Sequence, residues 1–302
     1  MKHALPLSTI LLVLLLSAGC ADRREDDARP LVVVSIQPLA HWVDAVGGDA
    51  LRVITLLPSN ANPHTFELLP RQIEDASDAR LLLTIGAGLE PWADKLAQNM
   101  KSDSTLRLVL SDGEQLLQDA HEHHHGHDHG HVHAFGNPHL WLDPLFAVRS
   151  VEKIRDALGR LYPQNAQRFR ERAAHYIDSL RQLHADIEAV TTTWTQRRFI
   201  ADHSSWVYFA ERYGLREAGA IEQQPGREIS ARELAGLIRM MRASGIRAIF
   251  ADKRSNARGV TLLAEESGAR IAFLDPLGGA LTSASYLTLM RENLAAMDGV
   301  MR

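Results

Sequence analysis

Residues 31–57 read LVVVSIQPLAHWVDAVGGDALRVITLL, and they set the pattern that the rest of the chain repeats. Leu31 to Ile36 is a short apolar run rich in β-branched residues, which predicts a buried strand. Pro38 to Val46 is interpreted as a short helix, and Leu51 to Leu57 as a second strand. A strand, a helix and a second strand in succession indicate an α/β fold with a parallel sheet.

The same alternation continues through two stretches of the chain. In the first stretch, a helix is predicted from about Pro70, and further elements follow: strand Leu81 to Ile85, helix Glu90 to Asn99 and strand Leu106 to Leu110. In the second stretch, short strands alternate with helices, and these strands are Phe199 to Ala201, Ala218 to Ile221, Ala248 to Ala251 and Ile271 to Leu274. Each stretch predicts an α/β lobe with a four-stranded, mostly parallel sheet flanked by helices, and two such lobes suggest a cleft between them.

The segment between the two stretches is different. Pro144 to Trp194 has no strand-like run, and its apolar residues recur at helical spacing. Pro163 to Thr192 is long for a globular helix but lacks the heptads of a coiled coil. We expect a rigid backbone helix that joins the lobes, and an ordinary packed helix within one domain is the alternative. The predicted organisation is an N-terminal lobe at 30–143, a helical linker at 144–194 and a C-terminal lobe at 195–302.

The N-terminus has the pattern of an export signal at residues 1–19, with the positive Lys2, an apolar segment and small residues before Cys20. Cys20 is the only cysteine, and Leu16-Ser17-Ala18-Gly19-Cys20 resembles a bacterial lipobox. We expect lipidation of Cys20, a charged flexible tether at 20–29, and a membrane-anchored protein in the periplasm or at the cell surface. The alternative is a signal cut elsewhere, with Cys20 as an incidental residue.

Composition limits the classes of partner. The chain is 45% hydrophobic, which is enough to build the cores of two domains, and its formal net charge is −4. Such a mildly acidic balance argues against nucleic acid as a partner.

A dense histidine tract lies in the loop predicted at 111–136, which closes the first lobe. Neutral imidazole is the commonest protein ligand for zinc, copper and nickel, so the tract indicates an accessory metal-binding segment. Eight of the chain's 15 histidines belong to it, namely His121, His123, His124, His125, His127, His129, His131 and His133. A solvated low-complexity loop without a role is the alternative.

Four other residues follow strands or stand in stiff loops, where open α/β sheets place ligands. His64 comes after the second strand and its turn, His139 lies between Pro138 and Pro144, and His203 and Asp275 each follow a predicted strand. Three imidazoles and one carboxylate suit tetrahedral zinc, whereas a manganese site would have more carboxylates. Copper and nickel stay open on these grounds. Outside the signal segment, the remaining histidines, His41, His175 and His184, lie within predicted helices and are interpreted as surface or packing residues.

With these predicted lobes and candidate ligands, the chain resembles the substrate-binding proteins of bacterial zinc and manganese ABC transporters, and specifically the ZnuA-like zinc-uptake type. The resemblance covers nearly the whole mature chain, and several motifs carry it in order: His64 in PHTFE, Gly88-Leu89-Glu90-Pro91-Trp92, His139 in PHLWLDP, His203 with Tyr208-Phe209 and Tyr213-Gly214-Leu215 behind it, and Asp275 in DPLG. Asn137 stands where Asp is commoner in the family, Phe66 where Tyr is often found, and Asp252 where Glu is frequent.

The resemblance implies two lobes joined by a backbone helix, with Zn²⁺ held between them by His64, His139, His203 and Asp275. It also implies delivery of the ion to a membrane permease. We expect the protein to be a monomer. We expect Glu67, Asp143 and Asp202 to hydrogen-bond the metal ligands. A zinc-buffering or adhesion lipoprotein and a manganese-specific homologue are the alternatives. A zinc hydrolase is disfavoured because four protein ligands leave no position for a reactive water.

Overall fold

The computed structural model describes residues 29–59, 61–102, 104–118, 136–222, 229–254, 257–279 and 285–302. The predictions for the signal segment, Cys20 and the histidine tract at 121–133 fall outside these ranges and stay predictions. Within them, no helix combines the length and the apolar character that a membrane crossing requires.

The N-terminal lobe is built on one parallel sheet in the order β2-β1-β3-β4. Its strands are β1 (Leu31–Val34), β2 (Arg52–Thr55), β3 (Leu81–Thr84) and β4 (Leu106–Val109), and its helices are α1 (Gln37–Gly47), α2 (Pro70–Ala76) and α3 (Ala93–Gln98). The two central strands are apolar and fully buried, because helices cover both faces of a parallel sheet. The predicted strand, helix and strand at the start of the chain are confirmed.

The C-terminal lobe repeats the topology, with a parallel sheet in the order β6-β5-β7-β8. Its strands are β5 (Arg198–His203), β6 (Arg216–Glu222), β7 (Ala248–Asp252) and β8 (Arg270–Leu274), and its helices are α6 (Val207–Arg212), α7 (Ala231–Ser244), α8 (Ala257–Ser267) and α9 (Tyr286–Met301). The fold class predicted from the sequence is confirmed, and every strand pairing in both lobes is parallel.

Two helices join the lobes, α4 (Pro144–Leu161) and the 26-residue α5 (Ala166–Thr191). The buried residues of α5 recur every three or four positions, so one stripe of the helix faces the core. The Arg172 guanidinium on α5 donates hydrogen bonds to the last carbonyls of α1, from Asp44, Ala45 and Val46. The long helix is therefore packed along its length and fastened to the first lobe.

One hydrophobic core runs through both lobes and the joining helices. It contains Val32 of β1, Leu180 of α5, and Phe199 and Phe250 of the second sheet. The rings of Phe199 and Phe250 stack with their centroids 4.2 Å apart. Because apolar burial is contiguous across the joining helices, α5 is a packed backbone and not an exposed strut between independent domains.

The Gly88-Leu89-Glu90-Pro91-Trp92 motif forms the turn after β3. Gly86 and Gly88 take positive φ angles there, which glycine adopts without steric cost. The buried Glu90 carboxylate accepts the backbone N–H groups of Ile85 and Gly86, each at 2.9 Å. Glu90 thereby ties the end of a buried strand to the turn, and burial raises the pKa of its carboxyl although both N–H groups oppose that shift.

We predict that Glu90→Gln changes the pH dependence of stability. A carboxyl whose pKa is raised on folding stabilises the folded state while it is protonated, and that contribution is lost as pH rises through the folded pKa. Between the ordinary Glu value of 4.5 and neutral pH, the free energy of unfolding of the wild type should therefore fall relative to that of Glu90→Gln. Urea denaturation at several pH values measures the difference, and a difference that stays constant with pH would contradict the assignment.

Candidate metal centre

Three histidines converge from separate parts of the chain. His64 lies in the loop after β2, His139 precedes a single 3₁₀ turn at Leu140–Leu142, and His203 is the last residue of β5. One ligand atom from each lies within 4.8 Å of the others. The ring centroids form a nearly equilateral triangle, with distances of 5.1 Å, 5.0 Å and 5.1 Å.

The spacing of the ring nitrogens fits a metal ion. The Nε2 atoms of His64 and His139 are 3.3 Å apart. Two nitrogens bound to one zinc ion at about 2.0–2.1 Å and at a tetrahedral angle are separated by about 3.3 Å. The two imidazoles are therefore already at the distance that a shared tetrahedral ion requires.

The site lies in a cleft between the lobes. His64 and His203 stand at the carboxyl ends of the two sheets, where α/β folds place ligands. They line a cavity of about 170 Å³, together with His139 and Trp141. A volume of this size suits an ion with a few coordinating groups and not a large organic molecule.

Asp275 directly precedes Pro276 and Leu277, which line the cavity, but it lies outside the histidine cluster. The buried residue follows β8, and its Oδ1 accepts the N–H groups of Leu277 (3.0 Å) and Gly278 (2.8 Å). The Asn293 side chain holds its backbone, receiving the Asp275 N–H at 2.8 Å and donating to its carbonyl at 2.7 Å. Among the described residues, the group of donors within 4.8 Å contains the three histidines and no carboxylate.

The three carboxylates expected to support the ligands have different surroundings. Asp202 is buried and lines the cavity next to His203. Asp143 instead caps helix α4, accepting the Leu145 N–H, and pairs with Arg212 of α6 at 2.7 Å. Glu67 is exposed, and neither it nor Asp143 is among the residues that line the cavity. The structure therefore brings Asp202 to the site and leaves Glu67 and Asp143 away from it.

Other charged residues of the second lobe also line the cavity, and the sequence did not single them out as site residues. Glu222 ends β6 directly opposite His203 in the sheet, and Asp252 ends β7. Arg254 pairs with Asp252 through two hydrogen bonds. Their common position at strand ends is the signal that would have located Glu222 and Asp252. Carboxylates on this wall favour a cation in the cavity.

Two further contacts hold the ligand loops. The Trp141 indole N–H donates to the Pro276 carbonyl at 2.7 Å, which joins the His139 segment to the turn after β8. The Asn137 amide oxygen accepts the backbone N–H of His139 at 2.9 Å and lies 3.0 Å from its ring Nδ1. In the sequence, Asn137 stood out only as a departure from the family pattern. Its position two residues before a candidate ligand was the available signal.

The histidines assigned to helices have other partners. His184 Nδ1 lies 3.0 Å from the Tyr213 hydroxyl, and His41 Nε2 lies 3.3 Å from the Gln37 amide nitrogen. His175 is exposed on α5. None of these three described residues lines the cavity, which agrees with their interpretation as surface or packing residues.

Fold and site together define a two-lobed metal-binding protein with its site in the cleft. The family model described as ZnuA, zinc-uptake complex component A, periplasmic, matches residues 32–299. The chain belongs to this family, whose members are metal-binding transport proteins and not enzymes. The resemblance carried by the sequence motifs is confirmed.

Individual relatives agree with that membership. The chain is 31% identical over 284 residues to the zinc-binding protein AdcA of Streptococcus pyogenes serotype M1, a match that covers 88% of this chain and 55% of AdcA. It is 27% identical over 286 residues to the high-affinity zinc uptake system protein ZnuA of Bacillus subtilis, covering 92% of this chain and 89% of that protein. The chain therefore spans about half the length of AdcA.

Solved structures share the whole fold. A crystal structure of ZnuA superposes with a TM-score of 0.78 at 28% identity, covering 91% of this chain and 100% of the other. The Zn(II)-bound ZnuA-like domain of Streptococcus pneumoniae AdcA superposes with a TM-score of 0.75 at 25% identity, covering 91% and 99%.

Proposed function

We propose that this protein captures Zn²⁺ outside the inner membrane and delivers it to the membrane permease of an ABC transporter. The observation that carries the proposal is the convergence of His64, His139 and His203 in the cleft, with ligand atoms within 4.8 Å of one another. The zinc-binding and zinc-uptake relatives support the same ion and the same role. The ion is cargo and not a catalytic cofactor.

The chemistry of the donors favours zinc over manganese. Imidazole nitrogen suits zinc, whereas manganese prefers carboxylate and other oxygen ligands. The three converging donors are all imidazoles, and the 3.3 Å separation of two of their nitrogens suits a small tetrahedral ion. We therefore propose zinc as the transported metal.

Asp275 is the residue that we propose as the fourth ligand. It follows a strand of the second lobe, and the next two residues, Pro276 and Leu277, line the cavity. Its Oδ1 accepts two backbone N–H groups, and we propose Oδ2 as the oxygen that binds the ion. Three nitrogens and one oxygen would complete a tetrahedral shell.

We predict that His64→Ala, His139→Ala and His203→Ala each weaken the tightest zinc site by more than about 100-fold, because each change removes a direct ligand and loss of an outer partner alone costs about 10–100-fold. Deletion of residues 121–133 should leave one tight site intact. Calorimetry in competition with a chelator measures both effects. His175→Ala, an exposed histidine of α5, is the matched control and should leave affinity unchanged. Loss of the tight site on deletion of the tract would contradict the assignment.

We predict a smaller effect for Asp275→Asn. The amide oxygen can still accept the N–H groups of Leu277 and Gly278, so the turn is preserved while the negative charge is removed. Zinc affinity should fall about 10-fold or more at unchanged stoichiometry, because a carboxylate ligand is lost. An unchanged affinity in the same competition assay, with the thermal unfolding temperature also unchanged, would remove Asp275 from the site.

We also propose that the protein is a monomer anchored through a lipid on Cys20. The lipobox-like sequence and the lipoprotein name of a relative, the zinc-binding lipoprotein AdcA of Streptococcus pneumoniae, support the anchor. The full chain expressed in a bacterium should incorporate labelled fatty acid and sediment with membranes, and Cys20→Ser should do neither. Light scattering of the soluble chain lacking residues 1–20 should give the mass of one copy. Label in Cys20→Ser, or a dimer mass, would contradict the respective half of the proposal.

A further inference from the structure

We propose that Asn137 is a positioning residue that fixes the tautomer of His139 and ties this ligand to the lobe that carries His203. The inference deepens the proposed function, since it concerns the same metal site. A neutral amide therefore supports a candidate metal ligand at a position where Asp is commoner in the family.

The first step is the orientation of the Asn137 side chain. The residue is fully buried, and its Nδ2 donates to the Ser204 carbonyl at 2.6 Å. A carbonyl oxygen can only accept, so the amide NH₂ must face Ser204 and the amide oxygen must face His139. That oxygen receives the His139 backbone N–H at 2.9 Å and lies 3.0 Å from its Nδ1.

The tautomer of His139 follows from this orientation. An amide oxygen is an acceptor, so the Nδ1 that faces it carries the proton. In the neutral imidazole, Nε2 is then the nitrogen with the exposed lone pair. Nε2 of His139 is also the atom that lies 3.3 Å from Nε2 of His64 in the cavity. Asn137 therefore holds the imidazole in the form that can bind a metal without losing a proton.

The second step is the contact with the other lobe. Ser204 directly follows His203. The Ser204 hydroxyl donates to the buried Glu217 carboxylate on β6, and this hydrogen bond helps to fix the position of the Ser204 main chain. The Tyr208 hydroxyl, on α6, donates to the Asn137 carbonyl at 2.7 Å, and the Asn137 N–H donates to the Leu117 carbonyl at 2.7 Å. One buried amide side chain thus links His139 to the residue that adjoins His203, and it contributes to their spacing.

The chain contains an internal comparison for this role. Asn62-Pro63-His64 repeats the Asn-Pro-His spacing of residues 137–139. Asn62 also accepts the backbone N–H of its histidine, at 2.9 Å, but it is exposed. Both asparagines therefore stabilise the same kind of turn. Asn137 in addition contacts the imidazole ring of its histidine and donates a hydrogen bond to the other lobe.

The bridge also explains why an amide is suited to this position. An aspartate at 137 would place a carboxylate oxygen against the Ser204 carbonyl, where both groups accept and repel. Asparagine satisfies both neighbours at once. As a neutral partner, it also orients His139 without the increase in ligand basicity that a carboxylate would give.

Two variants separate the two contacts. Asn137→Leu removes both, and Asn137→Asp keeps an acceptor for His139 but cannot donate to Ser204. Nitrogen NMR of the metal-free protein at about pH 8 reports which ring nitrogen of His139 carries the proton. For Asn137→Leu we expect a mixture of tautomers and about 10–100-fold weaker zinc binding in chelator competition. For Asn137→Asp we expect the Nδ1–H tautomer of the wild type and an affinity between those of Asn137→Leu and the wild type.

Asn99→Ala, at an exposed asparagine that does not line the cavity, is the matched control and should leave both the His139 tautomer and zinc affinity unchanged within about twofold. The proposal is overturned if Asn137→Leu keeps a pure Nδ1–H tautomer, whatever its affinity, or if Asn99→Ala weakens binding as much as Asn137→Leu does. If Asn137→Leu does not fold, Asn137→Asp decides alone, since an Nε2–H tautomer there contradicts the assignment and Nδ1–H supports it. The NMR readout needs no metal, so it can fail independently of the proposed zinc transport.

Discussion

The main constraint on this fold is that it must hold three imidazole nitrogens, from distant parts of the chain, within 4.8 Å of one another. Each histidine loses conformational freedom there, and neutral rings gain little from one another. The cluster is therefore maintained by the surrounding fold and not by the rings themselves. A bound cation would complete this preorganised site, because the ion attracts all three imidazole nitrogens at once.

The surrounding fold meets this requirement through a shared core. Leu180 of α5 packs in the same hydrophobic cluster as strands of both sheets. Polar contacts across the cleft add to it: Arg212 of α6 pairs with Asp143 at the start of α4, and Trp141 reaches the Pro276 carbonyl. Close-packed interiors have discrete arrangements and resist continuous deformation, so the distance between His64 and His203 is set by packing far from the site.

Much of the architecture could be predicted from the sequence, because buried parallel strands and amphipathic helices leave strong local patterns. The apolar run at Leu31 is such a pattern, and so is the helical periodicity of α5. Strand ends also pointed to His64, His203 and Asp275, since parallel strands bring their carboxyl ends to one edge of a sheet, and the flanking prolines pointed to His139. The long helix could not be assigned as a strut or a packed element from its own residues, because its neighbours on α1 and α9 are distant in sequence.

Some polar side chains near the site have partners that are distant along the chain. Asp143 looked like a partner for its neighbour His139, yet it starts a helix and pairs with Arg212, which is 69 residues away. The Asn137 side chain donates a hydrogen bond to Ser204, which is 67 residues away, and no pattern in a single sequence predicts that contact. Side-chain partners are set by tertiary packing, so proximity along the chain is a weak guide to which polar group supports a ligand.

A single zinc ion held by three imidazoles in the cleft has a coordination shell that X-ray absorption at the zinc edge can measure. The sample is protein that lacks residues 121–133 and is loaded with one equivalent of zinc. We expect three imidazole nitrogens and an oxygen at about 2.0–2.1 Å. A shell with fewer than three imidazoles would show that His64, His139 and His203 do not bind the ion together.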